Sequence, residues 1–267
     1  MKYSAIETQL LDSNHNWEAV LFWQLAKNFG LKVNGDAFLS IAKSMAFSVV
    51  RKSQHSIHHL EALFFGQAGL LESEAQNAYI SELKNTYEFL KHKFSLSREG
   101  VIPVHFFRLR PPNFPTIRLA QLAGVYSRRS NLFSSIIEAQ SLEQLYAIFE
   151  GSTSSFWNTH YTFEKTSKSS SKTLTKAFMN LLIINTIVPI KFAFHKFNRY
   201  SNPDNVLAII RNIPMEHNSI VDKFHSMYAF GKTALDSQAL IQLKHMYCSK
   251  NKCLQCAIGS AILNRNS

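Results

Sequence analysis

The amino-acid sequence predicts an all-α protein, an irregular domain of roughly ten or more helices with at most short β pieces. Apolar residues recur at helical spacing along almost the whole chain. Nine glycines and seven prolines in 267 residues leave little turn material for a many-stranded fold. Twenty-one phenylalanines and a hydrophobic content of 46% indicate a well-filled interior. We therefore predict a single helical domain over residues 1–267.

The N-terminal half supplies the first helices. In WEAVLFWQLAKNFG the apolar residues fall on or near one face, and Gly30 suits the position after a helix end. A second helix is predicted from Asp36 to Met45, and a third over IHHLEALFFGQAGLL. Residues 73–76 have capping-box spacing before a long helix, and residues 141–144 repeat that signature before a shorter one.

Three segments depart from the helical pattern. Residues 101–107 and 156–163 are the places where short β pieces are expected. Residues 152–175 are rich in Ser, Thr and Lys, which predicts a mobile connection and the place for a subdomain boundary if there is one.

Helices are predicted to resume at about Thr173 and to continue to the C-terminus. Pro189 is expected to kink the first of them. The stretch from Phe178 to Phe194 is interrupted by polar residues, so we predict a buried helix and no membrane span.

The chain is basic, with 29 Lys and Arg against 18 Asp and Glu and a formal net charge of +11. Residues 100–137 contain no carboxylate, and neither do residues 165–203. These windows predict that positive charge is concentrated on part of the surface. Such a field favours nucleic acid, an acidic protein or a phosphorylated ligand. A soluble basic surface without a specific polyanion is the alternative.

Familiar catalytic motifs are absent from the sequence. It contains no phosphate-binding glycine loop, dinucleotide fingerprint, nucleophile elbow or HExxH helix. His55, His58 and His59 have ligand-like spacing with Glu61 close by, but a polar first helical turn explains them more simply. Catalysis by this chain alone is therefore the less favoured expectation.

Residues 108–123, RLRPPNFPTIRLAQLA, form what we call the arginine loop. Pro115 suits the first turn of a helix, and Arg118 then lies where the helix dipole disfavours a cation. An anion held by backbone N–H groups and by Arg108, Arg110, Arg118 and Arg128 would account for this placement. The alternative is that the arginines pair with carboxylates from elsewhere. The inward stripe of the helix is predicted to leave out Arg118, Gln121, Val125 and Arg128.

Residues 247–256, YCSKNKCLQC, contain all three cysteines. A helix is predicted after Asn251, with a core face that starts at Leu254 and leaves the cysteines off it. The pattern H-x2-C-x4-C-x2-C then predicts a tetrahedral site for structural zinc, with an iron–sulfur cluster less favoured. Unmetallated thiols and a disulfide or redox pair are the alternatives. The predicted ligands are His245, Cys248, Cys253 and Cys256.

The blocks RLRPPNFPTIRLAQLA, NFGLKVNGDAF, LEALFFGQAGLL and YCSKNKCLQCAIG resemble a bacterial family known as domain of unknown function 2851. They come in the family's order and cover nearly the whole chain. The resemblance implies that this chain is the C-terminal, helical part of a longer architecture with a β-rich N-terminal portion. It implies no established activity, and it places any catalytic portion in the segment that this chain lacks.

These observations predict a cytoplasmic, basic, non-catalytic module that binds nucleic acid or another polyanion. The clustered cysteines and the start without a signal peptide indicate a reducing compartment. Two alternatives stay open. One is part of an enzyme that holds a phosphorylated or acidic ligand at the arginine loop, and the other is a scaffold whose basic face meets an acidic protein. The oligomeric state is left open.

Overall fold

The structure, a computed structural model, describes residues 2–74, 77–198 and 204–264. These residues contain two isolated β-bridges but no β-strand, which confirms the all-α prediction. Residues 101–107 and 156–163 are therefore not strands. The α-helices within the described ranges are α1 Lys2–Asp12, α2 Trp17–Phe29, α3 Leu31–Lys43, α4 Phe47–Ser53, α5 Ile57–Gln67, α6 Ala78–Phe94, α7 Pro115–Arg128, α8 Leu132–Glu138, α9 Leu142–Phe149, α10 Lys176–Leu182, α11 Val188–Phe197, α12 Asp204–Arg211, α13 Ser219–Met227, α14 Ala234–Met246 and α15 Ala257–Asn264.

The described residues form two compact units. The larger comprises residues up to 139 and from 143 to 198, and the smaller comprises residues 140–142 and 204–264. The Ser/Thr/Lys-rich segment 152–175 lies inside the larger unit. The single domain, with a boundary in that segment if there is one, stays a prediction.

Helix α7 lies at the centre of the larger unit. Every residue from Pro115 to Tyr126 is buried, which is the pattern of a helix surrounded by other elements. The ring of Phe22 on α2 contacts the ring of Tyr126 at a centroid distance of 5.3 Å and that of Phe64 on α5 at 5.7 Å. Aromatic packing of this kind joins α2, α5 and α7 into one core.

Local signals explain most helix boundaries, with two corrections. Helix α3 begins at Leu31 rather than Asp36, because Gly30 ends α2 and directly precedes α3. A Cβ on Gly30 would lie 2.3 Å from the carbonyl oxygen of Asn34, so only glycine fits this junction. Helix α6 is capped by Asn77, whose side chain accepts a hydrogen bond from the Ile80 N–H at 3.0 Å. The predicted box at 73–76 falls partly outside the described residues.

Helices α10 and α11 join into one 22-residue helix through a π turn at Ile183–Ile187. Pro189 follows this turn and lacks the N–H that a regular α-helix would need there. The predicted kink therefore takes the form of a widened turn. Within the described part of the chain, this helix alone has the length and composition to cross a membrane. Because 56% of its most apolar window is buried, it also fits a core helix.

Candidate functional site

In the connection between α6 and α7, residues 95–114, the backbone of Ile102 and His105 is held by polar side chains of α3. The buried Asn34 donates a hydrogen bond from Nδ2 to the His105 carbonyl at 2.8 Å and accepts one from the His105 N–H at 2.7 Å. The Ser40 hydroxyl accepts from the Ile102 N–H at 2.9 Å. These bonds satisfy backbone groups as a neighbouring strand would, although residues 101–106 belong to no sheet and a turn follows at Phe107 and Arg108.

The far end of this connection presents an aromatic ring and two cations to solvent. Phe107 is 76% exposed, and the Arg108 guanidinium carbon lies 5.0 Å from the centroid of its ring. Arg108 has a left-handed backbone conformation with φ of 61°, and Arg110 is also exposed. The adjacent Phe106 packs inward against Phe114 at 5.3 Å. We call Phe107, Arg108 and Arg110 the Phe107 surface.

Arg118 is placed very differently from these two arginines. It is only 8% exposed and donates to the amide oxygens of Gln121 at 2.8 Å and Asn113 at 2.6 Å. Its guanidinium carbon lies 3.6 Å from the ring centroid of Phe178. Burial lowers the Arg118 pKa to about 10. These hydrogen-bond partners are neutral amides, not the carboxylates expected in the anchoring alternative.

The predicted division of α7 into two faces was therefore wrong at three positions. Arg118, Gln121 and Val125 are buried together with the apolar stripe. Gln121 is accommodated because its Nε2 donates to the Lys172 carbonyl at 2.9 Å. Of the four residues placed outside the stripe, Arg128 is exposed. It donates to the carbonyl of Glu150, just beyond the end of α9, at 3.2 Å. Anion binding by the four arginines stays a prediction.

Two lysines from the second carboxylate-free window are also buried. The Lys191 ammonium donates to the carbonyls of Ile136, Ile137 and Ala139 at 2.9, 2.6 and 2.8 Å. Burial lowers the Lys191 pKa to about 8. The Lys172 ammonium lies 4.1 Å from the ring centroid of Tyr161. The prediction that the cations of the two carboxylate-free windows lie on the surface is therefore wrong for Arg118, Lys172 and Lys191.

A buried carboxylate, which the sequence indicated only as a neighbour of histidines, lies at the centre of a polar cluster. Glu61 is fully buried and accepts hydrogen bonds from the Tyr79 hydroxyl at 2.7 Å and from the Trp157 indole N–H at 3.1 Å. Burial raises the Glu61 pKa to about 7. Phe156 stacks on Tyr79 at 4.0 Å. The sequence signal was a lone glutamate inside the apolar run LEALFF.

The cysteine segment folds differently from its predicted helix. Asn251 has a φ of 53° and is not an N-cap, Cys253–Gln255 is a 3₁₀ turn, and α15 starts at Ala257. This turn breaks the helical phase, so Leu254 is 81% exposed while Cys256 is buried.

The predicted metal ligands are not grouped as a site in the described residues. Cys248, Cys253 and His245 are exposed, and no set of three or more His, Cys, Asp or Glu side chains is placed there to hold a metal ion. The predicted zinc or iron–sulfur site therefore stays a prediction. Elemental analysis together with thiol titration of the protein is the measurement that decides it.

Comparison with protein-family models gives a match over residues 1–219 to "Protein of unknown function (DUF2851)". The chain belongs to this family. The DUF2851 match includes the Phe107 surface, Arg118 and Glu61, and it ends before the three cysteines. It does not bear out the expectation that the chain is only the C-terminal portion of the family. No curated protein matches the chain, and no solved structure does.

Proposed function

We propose that this DUF2851 protein is a binding module for single-stranded nucleic acid and that the Phe107 surface is the contact region. The supporting observation is the exposed Phe107 ring with the Arg108 guanidinium above it. An aromatic face stacks on a base of any sequence, and neighbouring arginines bind phosphates. A base must be unpaired to stack in this way, so single strands are the expected partner.

Rigidity of the backbone behind this surface also supports the proposal. Both hydrogen bonds of the Asn34 amide hold His105, two residues before Phe107. Pro111 and Pro112 restrict the chain after Arg110. A ring on a restrained segment loses less conformational entropy on binding than a ring on a free loop. The formal charge of +11 adds long-range attraction for a polyanion.

Fluorescence anisotropy of a labelled single-stranded oligonucleotide tests the proposal. Phe107→Ala should weaken binding about tenfold, since stacking of one base contributes roughly 1–3 kcal/mol. Arg108→Met and Arg110→Met should each lower the steepness of the salt dependence by about 0.7, the value for one phosphate contact on a single strand. An unlabelled duplex of the same sequence should compete poorly.

Phe89→Ala and Lys93→Met are the matched controls. Phe89 is also an exposed phenylalanine, and the Lys93 ammonium lies 5.3 Å from its ring centroid on α6. Loss of binding in both pairs of variants would indicate general charge attraction and contradict the proposed surface. Equal affinity for duplex and single strand would contradict stacking.

The alternatives predict other results. A ligand enzyme predicts saturable binding of a small anion such as inorganic phosphate, with dependence on Arg108, Arg110 and Arg118. A scaffold predicts binding of an acidic protein with no preference for unpaired bases. Either result, together with no oligonucleotide binding, would replace the nucleic-acid proposal.

A further inference from the structure

A pocket of about 330 Å³ opens between α1, α2 and the π turn, all within the larger unit. Its volume is near the lower end of small-molecule sites, which span roughly 300–1,000 Å³. Polar side chains from three elements line it, and they are mainly amides rather than charged groups. These residues are Gln9, Gln24, Asn28, Asn185 and Thr186.

The amides are held in place by one another and by the backbone. Asn28 Nδ2 donates to the Thr186 hydroxyl at 2.9 Å and to the Gln24 carbonyl at 2.9 Å. Gln24 Nε2 donates to Gln9 Oε1 at 2.8 Å. Thr186 is fully buried, so the far end of this network is fixed in the core. The polar wall is therefore organised before any ligand arrives.

The network leaves a defined set of hydrogen-bonding groups for a ligand. Two side-chain amides joined by a single hydrogen bond leave the NH2 group of one amide and the C=O oxygen of the other unused, together with the second N–H of the donating amide. Gln9 and Gln24 form such a pair. Because Asn28 uses its nitrogen for two bonds, its Oδ1 is a second acceptor. The pocket lining thus contains both N–H donors and C=O acceptors, which are the groups that pair with a planar edge carrying an acceptor and a donor.

Charge narrows the class of ligand further. No carboxylate lines the pocket as the structure describes it, and Lys27 is the one cation in its lining. The Lys27 ammonium already lies 3.3 Å from the Asp36 carboxylate. A strongly charged ligand would therefore meet no uncompensated partner, whereas a neutral ligand would meet matched dipoles.

The π turn helps to form this wall. Pro189 cannot donate a backbone hydrogen bond, and the helix accommodates it by widening into the turn that carries Asn185 and Thr186. Ile6 and Pro189 add apolar surface beside the amides. The lining thus combines apolar surface with hydrogen-bonding groups, as expected for a site that binds a flat heterocycle.

We propose that this pocket binds a small neutral nucleobase, as the free nucleoside, through the Gln9–Gln24 amide pair. Adenosine is the probe of choice because its base edge carries an acceptor nitrogen beside an N–H donor. The proposal does not depend on the Phe107 surface. Each can fail without the other.

Isothermal titration calorimetry with adenosine and with N6,N6-dimethyladenosine tests whether the base pairs with the amide groups of the pocket through its N–H donor. The dimethyl compound keeps the acceptor and the ring but has no N–H donor. We expect saturable binding of adenosine and at least about tenfold weaker binding of the dimethyl compound, because an acceptor in the pocket is then left unpaired.

Substitutions of Gln9 and Gln24 test whether adenosine binds at this pocket. Gln9→Leu and Gln24→Leu should each weaken adenosine binding about tenfold, since each removes half of the pair. Gln242→Leu, the same change at an exposed position of α14, should leave it unaltered. Gln9→Ala is a second variant at a partly exposed site, which keeps the test valid if a leucine disturbs folding. Circular dichroism checks the fold of every variant.

Three results would overturn the proposal: no saturable binding of adenosine to the folded protein, equal binding of the dimethyl compound, or unchanged binding in the glutamine variants. Labelled oligonucleotide is titrated in parallel. Retained oligonucleotide binding in Gln9→Leu, with adenosine binding lost, separates this pocket from the Phe107 surface. Loss of oligonucleotide binding in Phe107→Ala, with adenosine binding retained, separates the two in the other direction.

Discussion

Arg110 and Arg118 belong to the same carboxylate-free window and to the same predicted anion site, yet the structure gives them opposite environments. Arg110 is exposed beside two prolines, whereas Arg118 is enclosed by two amide oxygens and an aromatic ring. The difference shows that a basic window is not a basic surface. A cation can be buried without an acid when neutral oxygens and a ring replace its water.

Lys191 is another cation that is buried against neutral oxygens, and its substitution should have the largest effect on stability. Lys191→Met removes the donor for three carbonyls at the end of α8. We expect a loss of about 4 kcal/mol in the free energy of unfolding, because buried acceptors lose their partner. Urea denaturation followed by circular dichroism measures this loss. Lys196→Met is the matched control, since Lys196 is exposed on the same helix. An equal loss in the free energy of unfolding in both variants would contradict the stabilising role of the buried lysine.

Glu61 extends the comparison to a buried carboxyl group. Its pKa is raised from 4.5 to about 7, so the folded protein keeps a proton that the unfolded chain has lost. The free energy of unfolding should therefore fall by about 3 kcal/mol as pH rises from about 4.5 to about 7.

The measurement is urea denaturation across that pH range for the natural protein and for Glu61→Gln. The amide variant cannot titrate, so this part of the slope should disappear. Glu82→Gln on the exposed side of α6 should leave the slope unchanged. A slope that survives in Glu61→Gln would mean that other groups carry it.

A smaller effect is expected for Arg118→Met. The methionine keeps an apolar contact with Phe178 but leaves the oxygens of Gln121 and Asn113 without their donor, which should cost about 2 kcal/mol. Thermal and urea unfolding give the value. A stability equal to that of the natural protein would mean that the buried guanidinium is dispensable for folding.

The smallest stability change is expected at the surface. Arg108→Met and Arg110→Met should alter the free energy of unfolding by less than about 0.5 kcal/mol, while they lower oligonucleotide affinity. The two properties are measured on the same samples by urea denaturation and anisotropy. A large loss of stability with no loss of affinity would reverse the roles assigned to the two kinds of arginine.

Helical periodicity was sufficient to predict the fold class and most helices, because an amphipathic helix records its buried face in its own sequence. It failed for α7, where Arg118 and Gln121 are buried as polar residues. A polar side chain is buried only when partners from distant segments satisfy it, and residues 172 and 178 supply them here. The spacing of residues within one helix does not show which distant segments will pack against it.

The candidate sites could be predicted only in part, for a similar reason. Arg108 and Arg110 were predicted as candidate anion ligands of the arginine loop, but Phe107 was missed, because a phenylalanine is normally assigned to the core. The cysteine helix was misplaced because the 3₁₀ turn at Cys253 shifts the phase of every later residue. The pocket lined by Gln9, Gln24 and Asn28 also includes residues 185, 186 and 189, which are far away in the sequence, so no local motif predicts it.

The π turn at Ile183–Ile187 also divides one long rod into two halves with different orientations about its axis. Each residue added to a helix rotates all later residues by about 100° around that axis. Phe178 therefore packs on Phe29, while Phe194 beyond the turn packs on Trp17 and Phe133. Removing one residue from the turn would leave every side chain in a helix but turn one half away from its neighbours. The number of residues in this segment is accordingly constrained by the packing on both sides of the turn.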